Sequence, residues 1–319
     1  MGTRVAEGGI AAVIPAHNQA QLLPRALASV AAQTSAPDEI IVVDDASSDA
    51  TALAASSFAR QRGTVIRLLR RDTPGPGGYA ARNLAIASTS CAWVAFLDAD
   101  DVWRPDHLAQ TRVLLAQARG DLVALFAARM LCLPDGRTRL QTATDAPFAQ
   151  LLDFDGFLAL WLRLRRCPMW TSATVLRREA AVAAGLFPAE RCRRGGDKDL
   201  WLRVMAEGVG LASLHIGADY RLDVPGQVTR SEAFSGQHCL CRTVEALGRA
   251  APTSRRRLLR QVQNLEVFAY ARRAFGREPA SRQALQDFDA ASDPARYLLL
   301  HAMVRTPAPL RRLIRRRLA

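Results

Sequence analysis

Lysine is almost missing from this chain of 319 residues: Lys198 is the only one, although Lys and Arg together number 43. The net charge of +13 is therefore carried by arginine, whose planar guanidinium favours bidentate contact with phosphate or carboxylate. Nucleic acid, an anionic membrane surface and a phosphorylated substrate would each answer such a charge. Aromatic residues are also few, at 6%. No basic stripe interleaved with aromatics and no nucleic-acid motif is present, so nucleic acid is not an expected partner. No apolar run reaches transmembrane length, which predicts a soluble or peripheral protein. The six cysteines are scattered. His238, Cys239 and Cys241 lie close together, but no second ligand pair stands at zinc-like spacing. No signal peptide opens the chain, and with mostly buried thiols the expected compartment is a reducing cytosol.

What is present is organised around Trp93–Trp103, WVAFLDADDVW. The apolar run Val94–Leu97 suits a strand buried on both faces. Asp98, Asp100 and Asp101 follow at once, and three negative charges at a strand end destabilise the fold unless something positive sits there. Asp98 and Asp100, two apart on an extended segment, can aim their oxygens at one point, as hard divalent cations require. A polar turn with an Asp cap for a helix opened by Pro105 explains the same residues without a ligand.

Upstream the pattern alternates. Ile10–Asn18, IAAVIPAHN, is a strand that stops at Pro15, then a loop into a helix over 21–33, with Asn18 and Gln21 resembling a capping box. Glu39–Asp45, EIIVVDD, is a second strand ending in acids, and Ser47, Ser48 or Asp49 caps a helix running to Gln61. Thr64–Leu69 reads as a third strand. A loop rich in Gly and Pro, 70–78, leads into a helix from about Tyr79 that carries Arg82 and Asn83. Apolar strands alternating with helices imply a parallel sheet covered on both faces. In such sheets ligands bind beyond the carboxyl ends of the strands, so PAHN, DDASSD and DADD should gather on one rim.

These four stretches, VIPAHN, EIIVVDDASSDAT, GGYAARNLAI and WVAFLDADDVWRPDHL, resemble in order and spacing the nucleotide-binding half of the family 2 glycosyltransferases. The resemblance implies a GT-A fold, a Rossmann-like, mostly parallel sheet flanked by helices, over a catalytic domain 1–225. A helical C-terminal region, 226–319, would follow. It also implies an inverting enzyme that uses a nucleotide-sugar donor and a divalent cation, Mg2+ or Mn2+.

On that resemblance Pro15, Ala16, His17, Asn18, Asp44 and Asp45 hold the nucleoside, and an Asp accepting the imide N–H suits a uridine or thymidine donor. An ordinary loop histidine at His17 and a buried turn acid at Asp44 remain open; Asp49 reads as a helix cap. Gly77 lets the backbone approach the donor near a helix N-terminus, and Arg82 either reaches the diphosphate or base or is a solvated helix charge. Asp98, with Ala99 beside it, would face ribose or sugar hydroxyls, and Asp100 would bind the metal. Asp101 orients the loop or caps the next helix.

Arg194–Arg203, RGGDKDLWLR, resembles the family's acidic motif, with Gly196 where the first acid is usual, Asp197 at the place of the general base and Asp199 at that of a structural acid. A plain helix cap is the simpler account of Asp197. Trp103, Trp170 and Thr171 are candidates for an acceptor pocket, with core packing the alternative for each Trp. Asp223 stands where a metal-facing His can occur in the family.

Past about Pro225 four helices are expected, over 232–250, 254–275, 280–290 and 294–304, and the tail PLRRLIRRRLA puts Leu310, Leu313, Ile314 and Leu318 on one face with Arg opposite. That is the pattern of a basic helix on an anionic membrane, or of a short helix packed on its own domain. The expected function is transfer of a sugar to a glycan, lipid-linked or other hydroxyl acceptor, by a cytoplasmic protein with peripheral contact at the inner membrane face. The alternative is a catalytically weak GT-A domain that binds or assembles, favoured by Gly196 and Asp223.

Overall fold

In a computed structural model, residues 8–118, 120–192, 194–222, 237–275, 282–307, 309–311 and 314 are described. They form two units, Met1–Phe157 with Cys167–Pro225, and Leu158–Arg166 with Gly226–Ala319.

The first unit is α/β. Its strands are β1 (Ile10–Ala16), β2 (Glu39–Asp45), β3 (Arg67–Arg71), β4 (Trp93–Phe96), β5 (Val102–Trp103), β6 (Leu122–Cys132), β7 (Thr138–Gln141), β8 (Gln150–Leu152), β9 (Thr174–Arg177) and β10 (Val209–Arg221). The sheet runs β3-β2-β1-β4-β9-β6-β10-β5, with β7 on β6 and β8 on β10. The pairs β3-β2, β2-β1 and β1-β4 are parallel, β9 is antiparallel to both β4 and β6, and β10 is parallel to β6. Hence β1, β2, β3, β4, β6 and β10 all point one way, and their carboxyl ends share one rim.

Every residue of β1 and β4 is buried, as expected of central strands covered on both faces. The helices are α1 (Leu23–Ala31), α2 (Thr51–Arg62), α3 (Tyr79–Ser88), α4 (His107–Gln117), α5 (Phe154–Leu164), α6 (Arg178–Ala183) and α7 (Gly196–Met205). Leu23, Leu27 and Val30 of α1 and Phe58 of α2 join Ile10, Ile14 and Val42 in the core.

Three local expectations are corrected. The capping box does not form: Asn18 adopts φ 52° and its Oδ1 accepts from Ser48 N at 2.8 Å, while α1 starts at Leu23 with Pro24 in its first turn. Asn18 thus ties the loop after β1 to the loop after β2 instead of starting a helix. The third strand starts at Arg67 rather than Thr64, because Gly63 ends α2 at φ 62° and Thr64 N is spent on Ala59 O at 3.1 Å. Asp101 caps no helix, as its contacts below show.

The second unit contains α8 (Leu240–Gly248), α9 (Thr253–Ala274), α10 (Arg282–Asp287) and α11 (Pro294–Arg305). Val267, Ala271, Phe288, Leu300 and Met303 form its apolar centre. Leu158–Arg166 falls inside the first domain drawn from sequence but groups with this unit, where Trp161 Nε1 donates to the buried Glu266 at 3.0 Å. Among the described residues no helix is long and apolar enough to cross a membrane. Asp223 and most of the C-terminal tail lie outside the described residues.

Candidate active site

The rim carries the predicted motifs. At the end of β2, Asp44 and Asp45 alternate across the strand and both are buried. Asp45 pairs with Arg71, its register partner on β3, and its Oδ2 accepts from Gly75 N at 3.1 Å. Asp44 Oδ1 accepts from Ser47 N at 3.0 Å, and Arg70 stands 3.4 Å from its Oδ2. Pro15 and Ala16 finish β1 beside them. His17 is exposed, and its Nδ1 lies 2.7 Å from Asp45 O. A carbonyl only accepts, so Nδ1 carries the proton and the ring is fixed over the end of β2. Asp49 stands one residue before the N-cap position, which Ala50 occupies, and its Oδ1 accepts from Thr51 N at 2.9 Å at the start of α2.

After β4 the three acids converge. One carboxylate oxygen from each of Asp98, Asp100 and Asp101 lies within 4.8 Å of the others. Asp101 is 1% exposed and accepts from Ser172 Oγ at 2.6 Å and Arg221 N at 3.2 Å. Burial, then the charges of Asp100 and Asp98, pushes its carboxyl well above the usual range. Asp98 pairs with Arg82, and its own N–H donates to Ser172 Oγ at 3.1 Å. Ala99 between them is buried. Asp100 is partly exposed, with its carbonyl held by Arg25 Nη2 at 3.1 Å. An all-carboxylate set, partly open to solvent, fits a hard cation such as Mg2+ or Mn2+.

Arg82 is buried, not a solvated helix charge: Nη1 donates to Gly77 O at 2.8 Å and Nη2 meets Asp98. Gly77 and Gly78 both adopt positive φ, 64° and 65°, in the short turn before α3. Their neighbour Tyr79 reaches the start of α7, where its hydroxyl accepts from Gly196 N at 2.9 Å. The next residue is Asp197, half-buried in the first turn of α7. Two residues on, Asp199 is fully buried and bound by Arg203 Nη2 at 2.6 Å and Nε at 3.1 Å. A chain of contacts therefore joins Asp98, Arg82, Gly77, Tyr79 and Gly196 to Asp197.

The acceptor candidates separate. Trp103 is 2% exposed, with its indole N–H given to Ser172 O at 2.8 Å, so it offers no face to an acceptor and belongs to the core. Trp170 is partly exposed and carries the Arg129 guanidinium 3.5 Å above its ring; Thr171 follows it in a short turn. Tyr79 and Ser172 were not singled out from the sequence. The GGY triplet marked a turn but not the contact of Tyr79 with Gly196, and Ser172, set between Thr171 and Ala173, gave no signal.

The carboxylates and arginines stand on the strand-end rim where open α/β sheets bind their ligands. The comparisons name the family. The description "Glycosyl transferase family 2" matches residues 11–154, and "Glycosyl transferase family group 2" matches 93–240. The amylovoran biosynthesis glycosyltransferase AmsB of Erwinia amylovora is 31% identical over 239 residues, 71% of each chain. The succinoglycan biosynthesis protein ExoU of Rhizobium meliloti is 30% identical over 239 residues, 74% of this chain and 66% of that one. The chain thus spans just under two thirds of ExoU. The crystal structure of S. aureus TarS 1-349 in complex with UDP-GlcNAc superposes with a TM-score of 0.73 over 96% of this chain and 88% of that one, at 17% identity, and so shares its fold. The chain belongs to glycosyl transferase family 2 and has the GT-A fold, with a helical C-terminal region.

Proposed function

We propose that this chain is an inverting glycosyltransferase. It moves a sugar from a uridine or thymidine diphosphate donor to a hydroxyl of a glycan or lipid-linked acceptor, with a divalent cation. The observation that carries the reading is the convergence of Asp98, Asp100 and Asp101 on the rim that also holds Asp45. The chain's similarity to AmsB, an amylovoran biosynthesis glycosyltransferase, and to ExoU, a succinoglycan biosynthesis protein, and the UDP-GlcNAc bound to TarS agree with it.

The nucleoside meets His17, Asn18 and the β2 terminus. Arg71 and Gly75 orient Asp45 there. Arg82 holds Asp98 toward the ribose and sugar hydroxyls. Asp100 would hold the cation, whose chemistry is to neutralise the charge growing on the departing diphosphate. Asp197 takes the proton of the acceptor hydroxyl as it attacks the sugar carbon from the face opposite the diphosphate. Asp197 lies in the first turn of α7, at the positive end of the helix dipole, where a negative side chain is favoured. Trp170 and Thr171 face the acceptor side. The tail adds contact with an anionic membrane surface, where lipid-linked acceptors reside.

A weakly catalytic binding module is the second reading, favoured by the absence of a side chain at Gly196. Thermal shift against a panel of nucleotide-sugars with and without Mn2+ identifies the donor, because a ligand of the folded state raises its melting point. Release of the nucleoside diphosphate from that donor then separates the readings. Transfer requires metal-dependent release that Asp197→Asn abolishes while binding persists; a module shows binding without release.

A further inference from the structure

Tyr79 is buried where two chain segments meet. A Cβ placed on Gly196 would stand 2.9 Å from Tyr79 Cε2 and Cζ and 3.0 Å from Pro188 Cγ, and a Cβ on Gly77 would stand 2.7 Å from the same two ring atoms. The ring is therefore clamped between two glycines, one in the turn before α3 and one at the head of α7. It stacks on Phe187 with centroids 5.8 Å apart and planes 12° from parallel. Phe187 is itself pinned: its N–H donates to Asn83 Oδ1 and its carbonyl accepts from Asn83 Nδ2, both at 2.9 Å.

Gly196 is the first residue of α7, so its N–H has no partner within the helix, and it is buried. The Tyr79 hydroxyl supplies the missing acceptor. One turn along α3, Arg82 bonds Gly77 O and pairs with Asp98.

We infer that Tyr79 is a positioning residue that fixes the head of α7, and with it the Asp197 carboxylate, in register with the Arg82–Asp98 pair. The inference rests on the reading of Asp197 as the base. It also accounts for Gly196: the ring and the side chain of any other residue compete for the same space. A base displaced by about 1 Å loses on the order of 100-fold in rate without losing donor affinity. A merely structural Tyr79 would move stability or donor binding instead.

The test measures nucleoside diphosphate release from the donor chosen above, with Mn2+, in Tyr79→Phe, Tyr79→Ser, Gly196→Ala and the double variant Tyr79→Ser/Gly196→Ala. Tyr79→Phe keeps the ring and removes only the hydroxyl. We expect kcat to fall about 10- to 100-fold with the donor KM within about two-fold. Gly196→Ala falls at least as far, and the double variant recovers part of that loss because the ring no longer meets the new methyl. Wild-type kcat in Tyr79→Phe, or losses that simply multiply in the double variant, overturns the inference. Asp197→Asn in the same assay keeps the two claims apart. If it is inactive while Tyr79→Phe is normal, only the positioning role fails; if it turns over normally, the base assignment itself fails.

Discussion

Asp98–Asp101, after β4, and Asp197–Asp199, at the head of α7, are both short acidic runs, and each divides its acids between framework and rim. In the first, Asp101 is buried and satisfied by a hydroxyl and a backbone N–H; in the second, Asp199 is buried and met by the Arg203 guanidinium. The difference lies in the charge of the partner. Neutral donors leave the Asp101 carboxyl pushed up by burial and by its acidic neighbours, whereas Arg203 compensates Asp199 directly. In both runs the proposed chemistry falls on acids that stay partly open to solvent, Asp98 and Asp100 in the first and Asp197 in the second. Adjacent acids of the same type thus take their roles from what lies beneath them, not from the motif.

The largest expected effect falls on Asp197. Asp197→Asn should lower kcat by about 10²- to 10⁴-fold, the usual weight of a general base, with nucleotide binding and the denaturation midpoint unchanged. Steady-state kinetics beside urea denaturation reads both.

Asp199→Ala should do the reverse. Removing one partner of a buried pair costs about 3–5 kcal/mol, and the figure is near the lower end here because Arg203, left without its counter-charge, is only partly buried. A lost or strongly shifted urea midpoint is expected; a stable, slow enzyme would erase the contrast between the two acids.

Buried bases extend the comparison. His107 Nδ1 lies 3.0 Å from His215 Nε2, and His215 Nδ1 lies 2.8 Å from Ser213 Oγ. Burial, reinforced by the neighbouring His215, lowers His107 to about 3. Burial also lowers His215 to about 4, against a small upward pull from Asp106. Both stay neutral when folded but take up a proton when unfolded below about 6.5. Their contribution is therefore present above that pH and is lost as pH falls toward about 4 and then about 3. Each histidine costs at most about 1.4 kcal/mol per pH unit in that window. Urea midpoints measured from pH 7 downward should decline more steeply in the wild type than in His215→Gln.

The smallest effect concerns the tail and leaves both acidic runs intact. The full chain should bind anionic vesicles more tightly than neutral ones, and removal of 309–319 should reduce that preference without changing donor turnover. Equal weak binding to both vesicles would end the membrane proposal.

The strands and the rim were legible in the sequence because buried parallel strands read as unbroken apolar runs and their polar ends stand out against them. Asp98 and Asp100 could be named for that reason, whereas Asp197, at the head of a helix, was legible only through the resemblance of RGGDKDLWLR to the family's acidic motif. Helix starts were less legible. Asn18 has the composition of a cap, but its left-handed backbone turns it toward Ser48. Trp103 had the composition of a sugar platform, and only the three-dimensional path of Ser172 shows that it is core. Tyr79 was hidden for a related reason: its partner Gly196 lies 117 residues away, and no local pattern reports a contact at that separation.

The most direct test of the account is a crystal structure with the nucleoside diphosphate of the identified donor and Mn2+, in which the anomalous signal locates the metal. The account predicts a manganese peak at Asp100, with the diphosphate beside Asp98 and Arg82 and the nucleoside over the ends of β1 and β2. A manganese peak away from Asp98–Asp101, or a nucleotide bound elsewhere on the molecule, would contradict it.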